Sequence, residues 1–250
     1  SDDQWSPSLG IVLKPFGENI SFYANYVEGL TQGATVSEIN DRNYGQTFAP
    51  FQTKQYEIGA KVQTGSWLNT LALYQIEKLT TMVTPYADAN DPNITQITND
   101  HAQQKSQGVE WAVSGEVLNG LDVMGSVAYQ NVKFDKANEN QGNKIVGVPD
   151  VTASFRVNYA VPLIAGFSVN TQLTHIGKQY LNQRNSIALP SYTIVDAGAR
   201  FNTIMGNVPT TLSFNIDNLS NKKYWQGAFT ENYAIIGADR TYKVGISFDF

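Results

Sequence analysis

Tyr242-Lys243-Val244-Gly245-Ile246-Ser247-Phe248-Asp249-Phe250 is the stretch that decides the fold class of this chain. On an extended strand successive side chains alternate faces, so Tyr242, Val244, Ile246, Phe248 and Phe250 point one way. Lys243, Gly245, Ser247 and Asp249 point the other way. A strand that is apolar on one face, polar on the other and aromatic at its end suits a membrane β-barrel. There lipid meets the outer face, water meets the inner face, and aromatics sit at the interface. An ordinary amphipathic edge strand alternates too, so the remaining sequence has to decide between them.

The same period of two recurs along the chain. In 151–161, Val151, Ala153, Phe155, Val157, Tyr159 and Val161 oppose Thr152, Ser154, Arg156 and Asn158. In 109–117, Val109, Trp111, Val113, Gly115 and Val117 oppose Glu110, Ala112, Ser114 and Glu116. Val195, Ala197, Ala199 and Phe201 oppose Asp196, Gly198, Arg200 and Asn202, and Tyr56, Ile58, Ala60 and Val62 oppose Glu57, Gly59, Lys61 and Gln63. Charges keep to one face, as they must where a Lys or Arg turned to lipid costs about 2–4 kcal/mol near the midplane. In 67–84 both faces are apolar, and the reading places Ala72, Tyr74 and Ile76 outward and Leu71 and Leu73 inward.

Composition agrees. Only 16% of the 250 residues are charged, below the roughly 25% of a typical soluble domain. Amides, hydroxyls, glycine and tyrosine fill the gap, as suits a water-lined lumen. Mean hydropathy is negative, and no apolar run is long enough for a transmembrane helix, which leaves a transmembrane barrel open. A net charge of −5 supplies no basic footprint for nucleic acid. With no cysteine, disulfides, thiolate metal sites and Cys nucleophiles are excluded.

Connection lengths alternate. Short turns fall at Pro15–Asn19, Gly65–Ser66, Leu118–Gly120, Pro162–Gly166 and Ile204–Val208. Long polar connections fall at about 29–52, 85–104, 136–147, 182–190 and 219–238. Short turns at one end and long loops at the other are the asymmetry of an outer-membrane barrel. About eleven strands are expected, at 8–15, 19–28, 53–65, 67–84, 105–117, 121–135, 148–161, 166–181, 191–203, 208–218 and 240–250. Bacterial single-chain barrels close with an even number, and open strand edges are not viable in lipid. The expectation is therefore part of a larger barrel, with 240–250 paired to a strand outside this chain. Ser1-Asp2-Asp3-Gln4-Trp5 shows no signal-peptide pattern.

Catalysis finds little support. The histidines are His101 in a polar loop and His175 on the apolar side of a strand, and no Gly-x-Ser-x-Gly, Walker or HExxH pattern occurs. The chain reads as no enzyme. Glu57, Glu110, Glu116, Asp196, Asp217 and Asp249 are expected to form lumen ion pairs and hydrogen bonds with Lys61, Arg156 and Arg200. Asp88, Asn90, Asp91 and Asn93 make an oxygen-rich tract without EF-hand spacing, read as a solvated loop and not a metal site. Binding is better supported, because long loops on a rigid scaffold carry recognition. Tyr44 and Phe48 (with Phe51), Tyr86, and Trp225, Phe229 and Tyr233 lie in those loops, and Arg184 could meet an anionic ligand.

Longer stretches resemble one family. Trp5-Ser-Pro-Ser-Leu-Gly-Ile-Val-Leu-Lys-Pro-Phe with Ile20-Ser-Phe-Tyr-Ala-Asn-Tyr26 resembles a mid-barrel hairpin of the TonB-dependent siderophore receptors. Lys105-Ser-Gln-Gly-Val-Glu110 and Ser191-Tyr-Thr-Ile-Val-Asp-Ala-Gly-Ala-Arg-Phe201 are similar to later strands of that family. Asn218-Leu-Ser-Asn-Lys-Lys-Tyr224, Asp239-Arg-Thr-Tyr-Lys243 and the terminal aromatic strand resemble its closing signature. The polar-x-Gly-x-x-aromatic-x-aromatic ending, with Phe248 and Phe250, also resembles the signal by which outer-membrane proteins are recognised by the barrel assembly machinery.

The resemblance implies a 22-stranded antiparallel transmembrane barrel in the bacterial outer membrane, with residues 1–250 as its C-terminal half. The N-terminal plug, the TonB-contacting segment and the first strands would lie outside this chain, in about 350–450 further residues. It implies a ferric siderophore as ligand, no resident cofactor, and partnership with the TonB complex and outer-membrane lipid. In ferrichrome-type receptors an aromatic of the last extracellular loop contacts the siderophore. Counted back from Arg240, that position falls on Phe229. Two other readings stay open: a passive porin, which predicts opposed charge ladders at a constriction, and a soluble β-sandwich, which predicts a detergent-free monomer.

Overall fold

A computed structural model describes residues 5–137 and 139–249. No helix occurs among them. The strands are β1 (Ser8–Leu13), β2 (Ile20–Thr31), β3 (Phe51–Thr64), β4 (Trp67–Pro85), β5 (Gln96–Leu118), β6 (Leu121–Lys136), β7 (Val151–Ala160) and β8 (Phe167–Ile176). They continue as β9 (Gln179–Tyr180), β10 (Ala188–Leu189), β11 (Tyr192–Met205), β12 (Val208–Asp217), β13 (Trp225–Thr230), β14 (Tyr233–Ile236) and β15 (Thr241–Phe248). An 11-stranded sheet runs in the order β1-β2-β3-β4-β5-β6-β7-β8-β11-β12-β15, each strand antiparallel to its neighbours. β9 with β10, and β13 with β14, form separate two-stranded hairpins in the long connections. The large sheet is open, with β1 and β15 at its edges, so Thr241–Phe248 does not pair with Ser8–Leu13.

The expected strands are all present, with different bounds at the loop end. Residues 96–104, read as loop, extend β5 and pair with β4 up to Pro85. The connection between them is the stretch 86–95, and no additional strand hides there. Polar residues hid this extension, because it rises beyond the apolar band and shows no greasy face.

One of the two-residue turns illustrates how the short end is made. Met205 pairs with Val208 across Gly206 and Asn207, whose φ values of 56° and 71° are both left-handed. That two-residue geometry matches the twist of the flanking strands and suits Gly and Asn. At Gly166, φ is 79° and a Cβ would lie 2.1 Å from the Asn202 carbonyl oxygen, so a side chain is excluded there.

Directly opposed residues share a face of the sheet, so the register assigns every side chain. One face carries the rows Ala24–Ile58–Leu73–Val109–Tyr129–Val151 and Phe201–Leu212–Ile246. Many of its apolar side chains are open, Leu9 at 73% and Val244 at 83%. Buried apolar clusters instead lie toward the long loops: Val36 with Phe48 and Phe51, and Met82 with Ala102 and Phe134. A sheet with its apolar mass outward and its small clusters beyond the apolar band is built for a hydrocarbon surrounding.

The register corrects the reading of 67–84. Leu71 opposes Ala60 and Trp111, and Leu73 opposes Ile58 and Val109, so the leucines face outward. Ala72 opposes Gly59 and Glu110, and Tyr74 opposes Glu57 and Gly108, so these face inward, with Ile76 on their side. The inner wall accepts the tyrosine because its ring lies over Gly108, where a Cβ would come within 2.6 Å of it. Tyr23 covers Gly59 in the same way.

The expected inner-face ion pairs are also corrected. Lys61 is flanked across the strands by Ser21 and Thr70, Arg156 by Met124 and Gln172, and Arg200 by Ser168 and Ser213. No carboxylate stands directly opposite any of them. Arg156 instead donates from Nε to Gln172 Oε1 at 3.1 Å, and Lys61 Nζ lies 5.5 Å from the centre of the Tyr23 ring. Asp217 pairs with Lys243, and Glu116 accepts from the Gly120 amide at 2.9 Å.

The facing makes a measurable difference. Leu71→Lys, outward and midway up the apolar band, is expected to cost about 2–4 kcal/mol, whereas Ser126→Lys, inward between Ala112 and Ser154, costs under about 1 kcal/mol. Denaturant midpoints of the intact protein in lipid vesicles check this, and a silent Leu71→Lys would reverse the facing.

Candidate ligand-binding loop surface

The long connections gather at the end of the sheet opposite the short turns, and buried polar groups hold them in place. Asp41 is the largest fully buried side chain, 1% exposed. Its Oδ2 accepts from the Thr98 hydroxyl at 2.6 Å and from Gln96 Nε2 at 3.2 Å. Its Oδ1 accepts from the backbone amides of Asn43 at 2.9 Å and Thr98 at 3.1 Å. Asn43 Nδ2 donates to the Thr98 carbonyl at 2.7 Å, and Thr95 N to the Asn40 carbonyl at 3.0 Å. The β2–β3 loop is thereby clasped onto the extension of β5. Burial pushes the Asp41 carboxyl up, but hydrogen bonds from Thr98, Asn43 and Gln96 more than offset this and hold it below the usual 3.8.

A second clasp organises the other side. Asn218, 3% exposed and at φ 50°, directly follows β12. Its amide nitrogen donates to Asp196 Oδ1 at 2.7 Å. Its Nδ2 donates to the carbonyls of Lys222 at 2.9 Å and Ala238 at 3.0 Å, and its Oδ1 accepts from Lys222 N at 2.8 Å. The side chain thus ties the start of the last loop to its end. The β13–β14 hairpin in between leans on the β8–β11 connection and the start of β11: Asn232 N donates to the Leu181 carbonyl at 2.8 Å, and the Tyr192 hydroxyl to the Gln226 carbonyl at 3.2 Å. The stretch 139–150 joins this group, with Lys144 N donating to Asn185 Oδ1 at 2.7 Å and Asn143 Nδ2 to the Gln183 carbonyl at 2.9 Å.

The candidate residues divide between the two clasped groups. Tyr44 and Tyr86 belong to the first, and Tyr44 is exposed. Tyr86 takes a hydrogen bond on its hydroxyl from Arg42 Nη1 at 2.7 Å, with the guanidinium 4.9 Å from its ring centre. Phe48 belongs there too, but it is buried against Val36 and Phe51 and packs the loop. Trp225, Phe229 and Tyr233 stand on the β13–β14 hairpin, Phe229 78% and Tyr233 68% exposed. Arg184 is exposed in the neighbouring loop, whose Gln183 N donates to Glu231 Oε1 at 3.2 Å. Hydrogen bonds therefore bring Arg184's loop to the hairpin, while the Tyr44 and Tyr86 group is held separately. Arg42, a loop cation backed by an aromatic ring, escaped the sequence reading; its neighbour Asp41 in an Asp-x-Asn turn was the available signal. Phe250, expected to complete the terminal aromatic signal, lies outside the described residues, whereas Phe248 faces outward opposite Thr210.

Comparison with known proteins agrees with this architecture. A family model described as "TonB dependent receptor-like, beta-barrel" matches residues 1–219. The chain belongs to that family. TonB-dependent receptor barrels are outer-membrane proteins of Gram-negative bacteria, so the apolar face meets lipid. Similar proteins include the ferrichrome receptor FcuA of Yersinia enterocolitica, 31% identical over 98% of this chain and 32% of the receptor. A ferrioxamine receptor of the same organism is 28% identical over 99% of this chain and 34% of its own length. The chain spans about a third of the length of the curated relatives it matches. Among solved structures, the ferric preacinetobactin receptor BauA of Acinetobacter baumannii superposes with a TM-score of 0.81 at 32% identity, over 98% of this chain and 36% of that one. These relatives are receptors rather than enzymes.

The Asp41 clasp generates a pH expectation. A carboxylate with a depressed folded pKa contributes stability that is present above its unfolded value and lost as pH falls through the folded one. Hydrogen exchange of residues 36–48, corrected for intrinsic rates, should stay slow from pH 7 to about 4 and accelerate below that. Asp41→Ala should give the fast pattern at pH 7, losing about 1–3 kcal/mol of local protection by stranding the Thr98 groups.

Proposed function

We propose that this chain is the C-terminal part of the barrel of an outer-membrane receptor that captures ferric siderophores and passes them inward with energy from the TonB complex. The observation that carries this reading is the pair of buried clasps. Asp41 and Asn218 immobilise long loops, and the fixed loops hold Tyr44, Trp225, Phe229 and Tyr233 open to the outside. Rigid aromatics give large contact area at small entropic cost, which suits an uncharged chelate. Arg42 and Arg184 would complement acidic groups on a ligand. The names of the relatives, receptors for ferrichrome, ferrioxamine and preacinetobactin, support the same substrate class.

On this reading the two open edges, β1 and β15, meet further strands of a 22-stranded barrel, satisfying the ladder groups that lipid cannot. The plug and the TonB-contacting segment belong to the rest of the protein. Phe248 and Phe250 act during insertion by the barrel assembly machinery, and the inner wall of amides and hydroxyls lines the route. No cofactor is required, because iron arrives as cargo within its chelate.

Binding of ferrichrome and ferrioxamine to the intact receptor tests this by intrinsic tryptophan quenching. Phe229→Ala and Tyr233→Ala should each weaken binding about tenfold or more, the loss of roughly 1.4 kcal/mol expected of a buried aromatic anchor. Phe48→Ala should instead loosen the 32–50 loop. Absence of binding to any ferric chelate, with no TonB requirement for uptake, would refute the proposal.

A further inference from the structure

Arg184 is the only charged residue of 181–187, the turn between β9 and β10. The backbone around it is tied down from several sides. Leu181 N donates to the Ile187 carbonyl at 2.9 Å and Asn185 N to the Asn182 carbonyl at 3.0 Å, which closes the turn. Buried Asn182 accepts on Oδ1 from Ser186 N at 3.0 Å and donates from Nδ2 to the Ser186 hydroxyl at 2.8 Å. Asn185, at a left-handed φ of 56°, bonds the Lys144 backbone at both its amide and its carbonyl, the latter at 3.0 Å from Nδ2. On the other side Gln183 gives its amide to Glu231 and takes the Asn143 side chain on its carbonyl. The residues before and after Arg184 are thus each fixed to a different loop.

The guanidinium itself is exposed and makes no ion pair or hydrogen bond among the described residues. Its cationic neighbours differ. Lys144 pairs with Asp150 at 2.6 Å, and Lys178 Nζ donates to the Tyr180 hydroxyl at 2.9 Å. Arg42, on the other clasped group, already donates to the Tyr86 hydroxyl. Glu231 directs Oε1 to the Gln183 amide instead of to Arg184. The bond from Asn232 N to the Leu181 carbonyl sets the β13–β14 tip beside this turn. Arg184 follows Leu181 by three residues, about 10 Å of chain at most, so one chelate-sized ligand spans Arg184, Phe229 and Tyr233.

We infer that Arg184 is a specificity-determining residue, selecting ferric chelates that carry a free carboxylate outside the groups that bind iron. This rests on the siderophore-receptor reading above. The exposed aromatics hold the uncharged chelate core, and the planar guanidinium takes the peripheral carboxylate through two parallel N–H···O bonds. The turn is ordered before the ligand arrives, so the backbone share of the ordering cost is already met. A neutral chelate gains nothing from Arg184, and a cationic one is repelled by it.

Ferrioxamine B tests this, because its linear trihydroxamate ends in an amine that can be left free, acetylated or succinylated. The iron centre stays constant while the terminal group changes from cation to neutral amide to carboxylate. Tryptophan quenching of the intact receptor should show the succinylated form binding at least tenfold more tightly than the acetylated one, with the free amine weakest. Arg184→Gln should bring the succinylated-to-acetylated ratio to within about twofold of one, and Arg184→Lys, which keeps the charge without the planar fork, should leave an intermediate ratio. Lys178→Gln should keep the wild-type ratio. A wild-type ratio near one, or tighter binding of the free amine, overturns the inference. So does a ratio that survives Arg184→Gln or is lost equally in Lys178→Gln. Wild type binding none of the three also overturns it, while the siderophore reading stands as long as ferrichrome binds.

Discussion

Backbone hydrogen bonding in a medium without water is the constraint on which the rest of this molecule depends. Every N–H and C=O inside hydrocarbon needs a partner within the protein, and an antiparallel ladder between neighbouring strands supplies it residue by residue. That ladder enforces the period of two, which sends Val244, Ile246 and Phe248 to lipid and Lys243, Gly245 and Ser247 to the inner wall. It also explains why the apolar residues are largely exposed and the buried clusters are small. Here the hydrophobic effect selects orientation in the bilayer, while close packing acts mainly beyond its edge, as in Met82, Ala102 and Phe134.

Above the bilayer the physics changes, because loops surrounded by water need a reason to hold still. Asp41 and Asn218 provide it by the same device. Each is a small polar side chain, almost wholly buried, with its hydrogen-bonding capacity met by backbone and side-chain groups of distant segments. A satisfied buried polar group specifies one arrangement, since any other leaves it unpaired at a cost. Asn218 opens the Asn-Leu-Ser-Asn-Lys-Lys-Tyr stretch of the family's closing signature, and its role here is architectural: it ties the base of the hairpin that lifts Phe229 and Tyr233 outward. The exposed loop aromatics and the residues that hold them in place are thus different residues, on the same loops.

How legible each part was follows from how local its cause is. The alternation of 151–161 is local, and the observed faces of Phe155 and Arg156 match it. β4 defeated the same reading because Leu71, Ala72, Leu73 and Tyr74 are apolar on both faces, and only their partners Trp111, Glu110, Val109 and Gly108 distinguish them. The lumen ion pairs failed for a related reason: inward charges were identifiable, but a shift of a few residues between strands decides whether Arg156 meets a carboxylate or Gln172. Phe48 and Tyr44 looked alike as loop aromatics, and tertiary packing buried one and left the other open.

By itself the sequence determined the fold class, the number of strands in the large sheet, the end that carries long loops, and the family, because each rests on periodicity or on contiguous residues. Register, and everything register brings together, was decided only by the tertiary structure. The row from Glu28 to Lys144 spans more than a hundred residues of chain, yet it is one line across neighbouring strands. Asp41 meets Thr98 in the same way, across 57 residues. Such contacts depend on where each strand stops sliding against the next, which turns, bulges and side-chain fit settle together and no single segment encodes.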